Sequence, residues 1–151
     1  MIGYGMSEEN TARFLSHPLA MVCSDGGAYA PYGPLSGSAP HPRAYGSFPR
    51  LLGHYVRRVG ALPLATAIHK ITGMPARKLG LTDRGRVALG AHADLVAFDP
   101  AAVSDGASFD RPHRYPAGIP HVVVNGRLTI RDGEQTGELA GRPIRGSGAR
   151  R

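Results

Sequence analysis

An aspartate and an arginine in the first third of this 151-residue chain have the side chains best suited to chemistry. Asp25 follows the apolar run 19–23 (LAMVC). If that run is a buried parallel strand, Asp25 lies at the edge where α/β sheets and barrels present active sites. A carboxylate there could take a proton from a metal-bound water and pass it to a leaving amine. The alternative is that residues 24–27 (SDGG) are only a turn, since Asp and Gly dominate turns.

The second candidate is Arg43, in the sequence His41-Pro42-Arg43. It lies in the Gly/Pro/Ser-rich stretch 24–47, which we predict to be a long loop, and loops of that length are usually functional or disordered. A guanidinium on that loop could bind a substrate carboxylate through two parallel hydrogen bonds. The alternative is a solvated surface arginine. For His41 we favour a structural role over a functional one.

The sequence shows no recognisable set of metal ligands. Seven histidines are present, but none forms an HxH pair or an HExxH motif. Besides His41, we expect surface or core positions for His17, His54, His69, His92, His113 and His121. The single cysteine, Cys23, excludes an internal disulfide and a cysteine-cluster zinc site, and its place in the predicted strand suggests a buried, unreactive thiol. A lone cysteine without a visible secretory signal fits a cytoplasmic protein.

The first half of the chain has the patterns of helices around one strand. Ser7 is a good N-cap for a short helix that His17-Pro18 ends. The run 19–23 is apolar on both faces, which is typical of a buried parallel strand. Helical spacing resumes from Phe48 to Val59 and again from Leu62 to Ile71, and a further helical turn is predicted for residues 74–81.

The composition changes near residue 83, where an α/β segment gives way to short strands. The predicted strands are at Val87 and in residues 94–98, 121–124 and 128–130. Asn125-Gly126 between the last two is a strong hairpin signal. Residues 99–118 form a polar, proline-containing excursion.

Charge and hydropathy exclude some classes of protein. The chain is 42% hydrophobic and 19% charged, as expected of a globular protein and not of a disordered one. No run of eighteen apolar residues exists, so we predict no membrane span. The net charge of +7 suggests nucleic acid, but four arginines lie in the last ten residues, and without them the charge is +3. A basic terminus on a near-neutral domain explains the excess better than nucleic-acid binding does.

The ordered motifs together resemble the N-acyl-D-amino-acid deacylases (D-aminoacylases) of the metal-dependent amidohydrolase superfamily. The resemblance covers nearly the whole chain. The matching segments, in order, are SEEN (7–10), HP (17–18), SDG (24–26), HPR (41–43), GSFPRLLGHYVR (46–57), TGMPAR (72–77), DRGR (83–86), ADLV (93–96), DP (99–100), PHRYPAGI (112–119) and VNG (124–126).

This resemblance implies an α/β fold, comprising the last strand and helices of a (β/α)8 amidohydrolase barrel followed by the C-terminal half of a small β-sandwich. Residues 1–83 would be the barrel part, 84–135 the sandwich part, and 136–151 a basic flexible tail. Asp25 matches the family's aspartate that acts as general base and then general acid at a zinc site. Arg43 matches the arginine that binds the substrate's α-carboxylate.

The resemblance also implies what the chain lacks. The family's His and Cys zinc ligands lie on earlier barrel strands, and Cys23 stands where glycine is usual, so no metal ligand is assigned here. We therefore expect the C-terminal part of a zinc-dependent hydrolase of N-acyl-D-amino acids, inactive alone, whose partner is the N-terminal part of the barrel or another chain. The alternative is a non-catalytic interaction module derived from the same fold. Neither requires nucleic acid or a membrane.

Overall fold

A computed structural model describes residues 5–144 of the chain. Its helices precede residue 79 and its strands follow residue 94. The helices are α1 (Glu8–Ser16), α2 (Arg43–Arg50), a π-helix (Leu51–Arg58), α3 (Leu64–Ile71) and α4 (Gly73–Lys78). The strands are β1 (Leu95–Ala97), β2 (His121–Val124), β3 (Arg127–Arg131) and β4 (Glu134–Gln135). None of the helices within residues 5–144 combines the length and apolar character that crossing a membrane requires.

Helix α1 confirms the first predicted element. The Ser7 side chain accepts a hydrogen bond from the backbone N–H of Asn10 at 3.1 Å, as expected of an N-cap. Glu8 and Glu9 occupy the first turn, where the helix dipole favours negative charge. The helix ends at Ser16, and Pro18 follows.

Helix α2 and the π-helix form one continuous helical segment from residue 43 to residue 58. The predicted helix at 48–59 is therefore confirmed, and Leu51, Leu52 and Tyr55 form its buried face. The segment begins five residues earlier than predicted, so Arg43 opens a helix and does not lie in a loop. The apolar spacing could not reveal π-helical hydrogen bonding, because both helix types place an apolar face every third or fourth residue.

Helices α3 and α4 lie where the sequence places them. Pro63 is the N-cap of α3, which ends at Ile71, in agreement with the predicted helix at 62–71. Helix α4 corresponds to the predicted turn at 74–81, although it begins at Gly73.

The sheet is antiparallel throughout, in the order β1-β2-β3-β4. Asn125 and Gly126 both have positive φ (48° and 78°) and connect β2 to β3, which confirms the predicted hairpin. The two-residue strand β4 was too short to predict. The strand predicted at Val87 is wrong, since Val87 forms no pairing in the described structure and is 87% exposed.

The strand predicted at residues 19–23 is also wrong. The described structure contains no parallel ladder, and residues 19–23 form no strand. Ala20 and Val22 are half-buried, whereas Leu19 (80% exposed), Met21 and Cys23 face solvent. A strand requires a neighbouring strand for its backbone hydrogen bonds, and no described segment pairs with this one. The cysteine predicted to be buried is therefore exposed.

One hydrophobic core joins the helices to the excursion at residues 99–118. Its buried residues are Leu51, Leu52, Tyr55, Leu62, Ala67 and Val103. Val103 belongs to the 99–118 excursion, which Arg57 holds to the π-helix through hydrogen bonds to the carbonyls of Pro100 (2.9 Å) and Val103 (2.8 Å). The excursion predicted at 99–118 is thus irregular but tightly packed.

Two carboxylates connect distant parts of the chain. Glu8 of α1 accepts hydrogen bonds from Tyr55 (2.6 Å) and Arg50 (2.8 Å). The Tyr55 hydrogen bond lowers the pKa of Glu8, burial opposes that effect, and Arg50 and His54 add to it, so the net pKa is below the ordinary value.

Asp94 has a similar role at the start of β1. It pairs with Arg84 and accepts the backbone N–H of Asn125 at 2.8 Å, so it ties the preceding loop to the hairpin. Burial acts to raise the pKa of Asp94, but the Asn125 N–H and the Arg84 guanidinium outweigh it, and the pKa is lowered.

The lowered pKa values predict a loss of stability in acid. Carboxylates whose pKa is lower in the folded state stabilise the fold above their unfolded pKa, and that stabilisation disappears as pH falls through the folded pKa. We expect the free energy of unfolding to decrease as the pH drops below about 4.5. We expect Glu8→Gln to make this decrease smaller. Since Glu8 is mostly exposed, its share is below about 1 kcal/mol. Urea unfolding at pH 7 and pH 3 measures it.

The matched control is Glu9→Gln, in the same helical turn, whose carboxylate takes part in none of these contacts. An acid dependence that is the same in Glu8→Gln as in the unsubstituted chain would show that the Glu8 contacts do not contribute.

Candidate functional site

The structure brings the two predicted site residues into contact. The Arg43 Nη2 atom lies 3.1 Å from the Asp25 Oδ2 atom, although the residues are separated by a long loop. Asp25 is 83% exposed and Arg43 is 46% exposed, so the pair is open to solvent in this chain. An ion pair with that exposure contributes at most about 1 kcal/mol. It therefore leaves the guanidinium available to a competing carboxylate.

A left-handed backbone conformation helps to set the position of Asp25. Its φ is +46°, in the left-handed region that Asp tolerates better than most residues. The next residue, Gly26, lies against the start of α2, where a Cβ atom would come within 2.9 Å of the Ala44 Cα. Residues 24–27 form neither a strand nor a turn closed by a backbone hydrogen bond; the segment is irregular, and the close approach of Gly26 to Ala44 brings Asp25 to the Arg43 helix.

Local hydrogen bonds fix the first turn of α2, on which Arg43 lies. The Arg43 backbone N–H donates to the Nδ1 atom of His41 at 3.1 Å, and the Ser47 hydroxyl donates to the Arg43 carbonyl at 2.9 Å. His41 thus has the structural role favoured from the sequence. Its ring also packs edge-on against Phe109 of the excursion.

A histidine from the excursion supports the same helix. The Nε2 atom of His113 lies 2.6 Å from the Ser38 carbonyl, which can only accept, so Nε2 carries the proton. In the neutral ring, Nδ1 then accepts from the Tyr45 hydroxyl at 3.1 Å. Burial raises the pKa of Tyr45, and Tyr32 adds to the effect, which keeps that donor protonated. His113 therefore links the long loop, helix α2 and the excursion.

The described residues do not provide a metal site. No group of three or more His, Cys, Asp or Glu side chains comes together within residues 5–144. Asp25 is accompanied by a cation and not by further ligands, so the part of the chain that the structure describes does not fit a zinc ion by itself.

A large apolar groove lies between the helices and the sheet. Its volume is about 780 Å³, and its walls include Phe48 of α2, Ile68 of α3, Leu95 and Val96 of β1, and Phe98. Phe48, Leu95 and Val96 are exposed apolar side chains.

Sequence reasoning missed the residues that support the site. The sequence patterns assign no role to Tyr45 or Lys70 and predict only a surface or core position for His113. For Lys70, one signal is present in the sequence. Lys70 lies on the apolar face of a predicted helix, three residues after Ala67, where an exposed charge is unexpected.

The close approach at Gly26 predicts that Gly26→Ala separates the site residues. The new methyl group would overlap the Ala44 backbone, so residues 24–27 must move away from α2. We expect backbone amide shifts in ¹⁵N NMR spectra to change at residues 24–27 and 43–45 while helix content is retained. Gly37→Ala, in the same loop with open space around it, is the control. Equal changes in both variants would contradict this account.

Sequence comparison finds a matching family and similar proteins for most of the chain. The sequence profile of the amidohydrolase family matches residues 9–130. The D-aminoacylase of Alcaligenes xylosoxydans xylosoxydans is 43% identical over 143 residues, which are 95% of this chain and 28% of that protein. The N-acyl-D-glutamate deacylase of the same organism is 48% identical over 126 residues, 83% of this chain and 24% of that protein. The chain thus spans about a quarter of the length of these relatives.

Solved structures show the same similarity in three dimensions. A D-aminoacylase crystal structure superposes with a TM-score of 0.81 at 46% identity, covering 91% of this chain and 27% of that one. The N-acyl-D-glutamate deacylase of Bordetella bronchiseptica, solved with zinc and a phosphonate inhibitor, gives a TM-score of 0.78 at 40% identity, with the same coverage of each chain. On this evidence the chain belongs to the amidohydrolase family.

Proposed function

We propose that this chain is the C-terminal part of a cytoplasmic, zinc-dependent hydrolase that cleaves the amide bond of N-acyl-D-amino acids to a D-amino acid and a carboxylate. Asp25 transfers the proton and Arg43 binds the substrate's α-carboxylate. The observation that supports this most directly is the 3.1 Å contact between them. The identity of 43–48% to proteins named D-aminoacylase and N-acyl-D-amino-acid deacylases supports the choice of substrate.

The contact suggests how substrate binding by Arg43 and proton transfer by Asp25 are coupled. A substrate α-carboxylate competes with Asp25 for the Arg43 guanidinium. Because the ion pair is exposed, breaking it costs little free energy. Once Arg43 binds the substrate, the Asp25 carboxylate is free to accept a proton from the attacking water and to donate it to the leaving amine.

The rest of the enzyme would come from outside this chain. We propose that residues 1–83 complete a (β/α)8 barrel, that residues 84–135 form half of a small β-sandwich, and that 136–151 is a basic tail. Arg145, Arg150 and Arg151 of that tail lie outside the described residues. The solvent-facing side of residues 19–23 and the apolar groove support this proposal, because both would be buried by the remaining barrel.

Zinc belongs to this proposal through the relatives. One solved relative is described as complexed with zinc and another as having a binuclear metal centre. Since residues 5–144 do not gather a ligand set, the segments missing here would hold the ion. The contribution of this chain is the acid–base carboxylate and the substrate cation.

The purified chain is expected to be inactive alone and active when combined with the missing part of the barrel. The test co-expresses it with the N-terminal three-quarters of a D-aminoacylase and measures D-amino acid release. Turnover by the 151-residue chain alone would contradict the proposal. Absence of turnover from a demonstrated stable complex would favour a non-catalytic module.

Asp25→Asn tests the proton-transfer role in that complex. Because an amide cannot carry the proton, we expect kcat to fall at least about 100-fold while zinc content, measured by mass spectrometry, is nearly unchanged. The control is Asp110→Asn, an exposed carboxylate in the excursion, which should retain activity. A fully active Asp25→Asn complex would refute the assignment.

Arg43→Ala tests the binding role separately. Loss of a charge-assisted hydrogen bond should weaken binding by about 1.5–3 kcal/mol, seen as a raised KM for substrates with a free α-carboxylate. Substrates in which that carboxylate is replaced by an amide should be affected much less. An equal loss for both substrate types would show that Arg43 does not bind the carboxylate.

A further inference from the structure

The most buried charged side chain among the described residues belongs to Lys70, on helix α3. It is 2% exposed, and its Nζ atom donates hydrogen bonds to the carbonyls of His17 and Ala20, the latter at 2.8 Å. Both acceptors belong to the stretch that leads from α1 to Asp25. The ammonium therefore reaches from the helical core to the backbone of the segment that carries Asp25.

Burying an ammonium group is costly unless its donors are satisfied. Here the partners are neutral backbone carbonyls, so the arrangement lacks the charge compensation of an ion pair. Methionine would fill a similar volume without that cost. The lysine thus offers something that an apolar side chain does not, namely donors for two carbonyls that no β-ladder satisfies.

Lys70 also contacts the segment through its own backbone. Its carbonyl accepts the N–H of Val22 at 3.4 Å, a long hydrogen bond. The other backbone hydrogen bond within the segment is local, from the N–H of Ala20 to the carbonyl of His17. Side chain and backbone of one residue therefore provide three of the polar contacts that hold residues 17–22.

We propose that Lys70 is a positioning residue for Asp25. Asp25 is the third residue after Val22, the last residue that contacts Lys70, and three residue steps span at most about 11 Å. The position of residues 17–22 thus limits where the segment can place the carboxylate that lies 3.1 Å from Arg43. Without the Lys70 ammonium, the segment keeps the long Val22 hydrogen bond, its local contacts to His17 and the packing of Ala20 and Val22. We expect these to hold it less firmly, so that Asp25 moves relative to Arg43. The role assigned to Asp25 rests on the proposed function.

The chain contains a natural reporter for this motion. Cys23, the only cysteine, is exposed and lies two residues before Asp25. A nitroxide attached to it reports the mobility of the segment by electron paramagnetic resonance. We expect Lys70→Met to give a clearly more mobile spectrum than the unsubstituted chain. The control is Lys78→Met, since Lys78 is the only other lysine and is exposed on α4; its spectrum should be unchanged.

Stability measured in parallel separates positioning from general support. A residue with a merely structural role would lower the free energy of unfolding but leave the label spectrum of the folded chain unchanged, and that result would overturn the proposal. Lys70→Arg, which keeps charged donors, should restore much of the restricted spectrum. If circular dichroism shows that Lys70→Met is unfolded, Lys70→Gln is measured instead, because its shorter amide cannot reach both carbonyls. A more mobile label would again support positioning, and an unchanged label spectrum with lower stability would again overturn it.

Kinetics of the reconstituted enzyme give an independent readout. If Lys70 positions Asp25, Lys70→Met should lower kcat about tenfold or more with little change in KM, because Arg43 remains in place. A raised KM with unchanged kcat would contradict it. The label experiment does not depend on turnover. If the unsubstituted complex is inactive but Lys70→Met makes the label more mobile, the proposed function is refuted and the positioning role stands.

Discussion

The ion pair between Asp25 and Arg43 depends on two segments arriving at the same place by different means. Arg43 lies on a helix whose continuation packs into the core, so its position follows from burial of Leu51 and Tyr55. Asp25 lies on a segment with no strand neighbour in the described structure, and its position follows from a few polar contacts and the close approach of Gly26 to Ala44. The Arg43 side of the site is anchored through the hydrophobic core, and the Asp25 side is held by a few polar contacts and the close approach of Gly26 to Ala44.

This difference is consistent with a chain that matches only about a quarter of its relatives' length. A barrel strand takes its hydrogen bonds from two neighbouring strands, which are among the segments we propose to lie outside this chain. Helices satisfy their own backbone, and the β2–β3 hairpin pairs within itself. The helices and the antiparallel sheet thus find their partners within the described residues, whereas residues 19–23, which could be a strand only with neighbouring strands, do not.

The same physical distinction separates what the sequence could predict from what it could not. Helix α1, the helix at 48–59 and the Asn125-Gly126 hairpin were predictable because their signals are local. The strand at 19–23 was predicted from apolar character alone, which does not reveal whether a neighbour exists. Asp25 and Arg43 were found through residue type and family resemblance. The side-chain contacts of Lys70 and His113 join residues that are 50 to 75 positions apart, which no local pattern encodes.

Val103 and Leu51 belong to one buried core, which has a consequence for how the chain unfolds. The change in composition near residue 83 suggests two separable modules, yet the interior is continuous across it. Removing either portion would expose the apolar interior of the other, so melting of both portions should be a single cooperative event. We therefore expect the boundary visible in the amino-acid pattern to mark a change of architecture and not the edge of an independently folding unit.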